Sequence, residues 1–111
     1  MAATRLRSNL AFDDQQIDGL RGPYEVGNGD IYVQASGTWD HAYVVVEARL
    51  PAPLAAQEGK ELAWVEVLRM SNNSYFHIDL PRNGEFRFRQ IHSGIGTSLS
   101  VAYSSELVSQ G

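Results

Sequence analysis

Ile31 to Leu50, IYVQASGTWDHAYVVVEARL, decides the fold of this chain, because it reads as two alternating strands joined at a corner. In the first, Ile31, Val33, Ala35 and Trp39 share one face, with Tyr32, Gln34, Ser36 and Thr38 on the other, a period of two. In the second, Ala42, Val44, Val46, Ala48 and Leu50 lie opposite Tyr43, Val45, Glu47 and Arg49. Trp39-Asp40-His41 is the connection, and Gly37, without a side chain, marks a bulge or a close backbone approach just before it.

Working outward toward the N-terminus, Gly27-Asn28-Gly29 carries the Asn-Gly signal of a tight turn, since both residue types tolerate positive φ. The spacing predicts that Tyr24 to Val26 pairs back onto Ile31 to Val33. Residues 1–23 have the weakest periodicity and read in two ways, as an extended arm that packs on a neighbouring subunit or as a first strand followed by a loop. The remainder, 24–111, is one sandwich domain.

Toward the C-terminus, Pro51 and Pro53 stop the second strand, because proline cannot donate to a ladder. Leu54 to Gly59 has the composition of a single helical turn ended by glycine. In Leu62 to Leu68 both faces carry bulk: Ala63, Val65 and Val67 against Trp64, Glu66 and Leu68. Trp64 and Leu68 facing a sister subunit is one reading; Trp64 in the core with Val65 outside is the other, since a slip of one residue exchanges the faces. Tyr75 to Leu80, with Phe76, Ile78 and Leu80 inward, and Glu85 to Ile91, with Phe86 and Phe88 inward, flank the turn Pro81-Arg82-Asn83-Gly84 and are predicted to form a hairpin. Ser98 to Ser104 closes the set with Leu99, Val101 and Tyr103 on its apolar side. The expected architecture is all-β: an antiparallel, jelly-roll-like sandwich of about six to eight strands with an extended N-terminal arm.

Composition narrows the function classes. A chain of 111 residues fits one domain and buries roughly 65% of the surface its unfolded form exposes. Hydrophobic residues at 43% and charged residues at 20% exclude the low-hydrophobicity, high-charge pattern of disorder. Nine basic against thirteen acidic side chains, net −4, argue against a phosphate-neutralising surface, so no nucleic acid partner is expected. Without cysteine there are neither disulfides nor thiolate metal ligands. The longest apolar run, Ala42 to Val46, is too short to span a bilayer, and no apolar segment follows Arg5 and Arg7, so no membrane or secretory route is expected and the product is read as made in the cytoplasm.

Catalytic chemistry finds little purchase. His41, His77 and His92 have no short metal-ligand spacing, so no metal site and no cofactor are expected. Asp40 beside His41, or Asp79 near His77, is an acid-base pair only in principle; an exposed histidine on a strand is more often part of a solvated face or a hydrogen-bond partner. No serine occupies a G-x-S-x-G elbow, and Gly94-Ile95-Gly96 lacks the third glycine of a dinucleotide loop and opens a strand instead of a helix. Glu47, Glu58, Glu61, Glu66 and Glu85 do not pair off by spacing. The expectation is a protein that is not an enzyme. Trp39, Trp64 and the tyrosines leave open a sugar-stacking platform, hence a carbohydrate-binding module.

Gly22-Pro23-Tyr24, then Gly27 to Trp39 (GNGDIYVQASGTW), then Ala42 to Ala48 (AYVVVEA) resemble the small β-sandwich structural proteins of tailed bacteriophages. Phe76 to Pro81, Gly84 to Arg89 and Gly94 to Val101 are similar to the second half of the same proteins, so the resemblance spans about residues 20 to 104. The chain departs from that pattern at Leu50 to Lys60, where a proline- and alanine-bearing link replaces a short glycine-rich turn. The resemblance implies a virion component: a capsid decoration or cement protein, a homotrimer bound to the major capsid protein on the outside of the head. A tail or fibre component is the alternative within the same particle. From exposure patterns, Arg5, Leu6, Arg7, Leu10 and Phe12 are candidate arm contacts, and Trp64 and Leu68 candidate contacts with a sister subunit.

Overall fold

The computed structural model describes residues 5–50 and 63–107, with side chains described for 9–50 and 63–104. Within these residues eight strands follow one another: β1 (Arg5–Gln15), β2 (Gly19–Glu25), β3 (Asp30–Thr38), β4 (Tyr43–Arg49), β5 (Val65–Met70), β6 (Ser74–Asp79), β7 (Glu85–Ile91) and β8 (Ser98–Leu107). They form two four-stranded sheets, ordered β1-β8-β3-β6 and β2-β7-β4-β5, and every pairing is antiparallel. Among the described residues no helix is long and apolar enough to cross a membrane. The helical turn expected over Leu54 to Gly59 lies outside the described residues.

The period of two in β3 and β4 supplies the centre of both layers. Ile31, Val33 and Ala35 from the first sheet meet Val44, Val46 and Ala48 from the second, all buried. Phe12, Leu99 and Val101 extend the first inner face; Phe86, Phe88 and Met70 extend the second. Tyr24, Phe86, Phe88 and Tyr103 close one side as an aromatic group, with the Tyr24 and Tyr103 ring centres 4.7 Å apart. Such rings add edge and offset contacts to the apolar area they bury.

Trp39-Asp40-His41 is the expected corner, and it carries the chain from one sheet to the other. The Ala42 amide donates to the Trp39 carbonyl at 2.9 Å, and Asp40 and His41 have positive φ. Two loops fasten it. The Asp40 carboxylate accepts the Gly96 amide at 2.7 Å, and the Thr97 hydroxyl donates to the Trp39 carbonyl at 2.9 Å. Gly37 makes the close approach its position suggested: at φ 135° it leaves no room for a Cβ beside the Ser98 carbonyl.

Two pairings differ from expectation. Tyr24 and Glu25 pair with Phe86 and Glu85 in β7, while Ile31 to Val33 pair with β6 and β8 in the other sheet. Likewise β6 and β7 belong to different sheets, so Pro81-Arg82-Asn83-Gly84 is a crossover and not a hairpin loop. The reason is the same in both places: positive φ at Gly27, Gly29 and Asn83 lets a chain reverse between layers as readily as within one. The two crossovers bind each other, through Val26 N–H to the Gly84 carbonyl at 2.9 Å and Leu80 N–H to the Gly29 carbonyl at 2.8 Å.

Residues 5–15 are paired within the chain, Arg5 opposite Leu107 and Leu10 opposite Ala102, as the first-strand reading has it. β1 lies at the border of its sheet, as do β6, β2 and β5.

Candidate functional site

The residues expected at an interface fall in different places. The backbones of Arg5, Leu6 and Arg7 lie in β1 opposite Leu107, Glu106 and Ser105, and their side chains are outside the described set. Leu10 points outward, 60% exposed. Phe12 does not: it is 1% exposed, in the core, with the Arg21 guanidinium over its ring. The alternation of β1 breaks between Leu10 and Phe12, where a register shift returns an even-numbered residue to the inner face.

Leu68 also packs against the core, opposite Val46. A register shift between Val46 and Glu47 inserts an extra residue, Val67, on the β5 side. Val65 and Val67, which share a face in the sequence reading, are 60% and 41% exposed, and Val65 stands opposite the buried Ala48. Trp64 is half-buried, with the guanidinium groups of Arg49 and Arg87 4.3 and 4.4 Å from its ring centre. Two arginines of its own chain cover part of the ring, and it lies outside the core cluster.

Val65 and Val67 line an apolar cleft of about 330 Å³ with Ala48, Leu50, Leu80 and Pro81. Leu50 is 46% exposed beside them, so edge strand β5 carries an apolar strip along its border.

The outer face of the second sheet is charged and internally paired. Glu47, only 8% exposed, accepts from Arg87 Nε at 2.7 Å and from an Arg89 terminal nitrogen at 3.3 Å, and Arg49 pairs with Glu85 at 2.9 Å. Arg69 donates to Glu66 at 2.8 Å, which holds the Glu66 carboxyl below and the Arg69 guanidinium above their ordinary values. Spacing could not find the Glu47–Arg87 and Arg49–Glu85 pairs, because they meet only through the β4–β7 register.

The outer face of the first sheet is different. Tyr32, Gln34, Tyr75, Ala102 and Ser104 line a shallow groove of about 170 Å³, with Tyr75 66% exposed. At its end, Tyr32 stacks on His77 with ring centres 4.7 Å apart. His77 Nε2 lies 2.8 Å from Asp30 Oδ1 and 3.4 Å from Asp79 Oδ1. Sequence spacing associates Asp79 with His77 but misses Asp30, which comes from another strand 47 positions away. The other acid-base candidate has a structural job, since the Asp40 carboxylate caps the Gly96 amide.

Comparison with known protein families, with curated proteins and with solved structures finds no match for this chain.

Proposed function

We propose that this chain is a virion structural protein, decorating the outer surface of a tailed-bacteriophage head as a homotrimer bound to the major capsid protein. The observation that carries this reading is the exposed apolar strip formed by Val65 and Val67 of border strand β5 with Leu50, just after β4. A valine pair left in water on an edge strand loses the burial free energy it would gain against a second chain, and an open strand border offers that chain a ladder to join. The order β1-β8-β3-β6 and β2-β7-β4-β5 supports a jelly-roll reading of the sandwich, an architecture used in capsids. The sequence resemblance to phage structural proteins supports the choice of the head.

In this reading the strip on β5 meets a sister subunit, and the leading segment meets the capsid through the open border of β1 and the exposed Leu10, not as a free arm. Many weak contacts repeated over a lattice then add by avidity. The test is co-sedimentation of the purified chain with phage heads that lack it, followed by imaging of the particles. Density on the head, lost with Leu10→Arg, is expected; density confined to tails selects the tail or fibre alternative, and binding to neither refutes both.

A second reading, a carbohydrate-binding module, is favoured by the groove between Tyr32 and Tyr75. It predicts a monomer whose retention on a glycan array is lost in Tyr75→Ala.

A further inference from the structure

Asp30 and Asp79 stand directly opposite each other on β3 and β6, and Tyr32 and His77 form the next pair on the same outer face. Like charges in this cross-strand relation destabilise a sheet, unless a cation lies between them. His77 already reaches both carboxylates, and one ligand atom from each of the three residues falls within 4.8 Å of the others.

We propose that Asp30, His77 and Asp79 bind a divalent transition-metal cation, best matched by zinc, with solvent completing the coordination. The donor set is one imidazole nitrogen and two carboxylate oxygens, which suits a borderline ion better than calcium or magnesium, whose sites are built from oxygen. The spacing fits as well. Metal–ligand distances of about 2.1 Å in a tetrahedron place ligand atoms about 3.4 Å apart. The His77 to Asp79 separation is 3.4 Å, Asp30 at 2.8 Å from His77 has to withdraw by about half an ångström, and the two carboxylate oxygens lie within 4.8 Å of each other.

The site is also held in place. All three ligands sit on strands in fixed register, and Tyr32 stacks on the His77 imidazole at an interplanar angle of 15°. A stacked ring restricts the rotations of the imidazole that otherwise oppose ligation. The group is open to entering ions, with Asp79 83% and His77 45% exposed at the side chain. Because β6, among the described strands, is joined only to β3, the ion would pin that border to the sheet. This inference is independent of the capsid reading and stands or falls without it.

The test is isothermal titration of the full chain, stripped with chelator and desalted, with zinc chloride. One-to-one binding is expected with a dissociation constant on the order of micromolar, weakened at least about tenfold in His77→Gln and in Asp79→Asn. Circular dichroism establishes that both variants fold. The double variant His41→Ala/His92→Ala controls for the other two histidines and keeps the site. Absence of saturable binding, binding that survives both ligand substitutions, or binding lost in the control would each overturn the assignment, as would calcium binding as tightly as zinc.

Discussion

Trp39 donates its indole N–H to Asn73 Oδ1 at 2.9 Å, and the same oxygen accepts the Gly37 amide at 3.0 Å. One side chain from the β5–β6 loop thus fastens the end of β3 and the first residue of the corner that leads to β4. Asn73→Ala should lower stability by about 1 kcal/mol in urea denaturation, since these hydrogen bonds are solvent-accessible. Asn73→Asp, which keeps the acceptor, should recover most of the loss. Equal loss in both variants would mean that the oxygen is not what matters.

Gly37→Ala asks more of the corner. Its φ of 135° is a conformation that side chains rarely adopt, and the added Cβ would collide with the Ser98 carbonyl. A cost of about 3 kcal/mol is expected, combining backbone strain with the lost β3–β8 pairing. Gly27, with open space around its Cβ position, should tolerate alanine better. Comparison of the two thermal midpoints checks the ranking.

Glu47 is the hub of the charged outer face, shared by Arg87 and Arg89. Its removal in Glu47→Ala strands two guanidinium groups and should cost about 2 kcal/mol. Because Arg87 also covers Trp64, the indole fluorescence of the folded variant should shift to the red. An unchanged emission maximum would show that the arginine does not depend on Glu47 for its place.

Much of this was open to inspection in the sequence, and the rest was hidden for identifiable reasons. The β3–corner–β4 unit is legible because its signals are local: alternation in Ile31 to Ala35 and Ala42 to Ala48, then proline at 51. Partner choice is not local. Val26 finds Gly84 and Tyr24 finds Phe86 across some sixty residues, and the Asn-Gly signal beside them reports a reversal without saying between which layers. Faces failed where a register shift interrupts the period: in β1 it turns Phe12 inward, and in β5 it separates Leu68, packed on the core, from Trp64, packed against Arg49 and Arg87. The Asp30, His77 and Asp79 group needed the β3–β6 register before its parts could be seen together.

Alkaline pH should weaken the aromatic group. The Tyr103 phenol is pushed from 10.0 up to about 12, first by burial and then by the neighbouring Tyr24. Above pH 10 the unfolded chain sheds this proton while the folded chain keeps it, so the stabilisation is complete below pH 10 and is lost as pH climbs through 12. Thermal midpoints followed from about pH 9 upward should fall less steeply in Tyr103→Phe than in the unmodified protein. Parallel curves would remove Tyr103 from the explanation.

The central claim is that the chain acts by fitting its exposed strand borders against other protein chains, above all through Val65 and Val67. Sedimentation equilibrium of the full chain, beside Val65→Glu/Val67→Glu, tests it most directly. A species of three times the 12.3 kDa chain mass is expected, falling to one chain in the folded double variant. A single chain at every concentration in the unmodified protein, or an assembly indifferent to both glutamates, would contradict it.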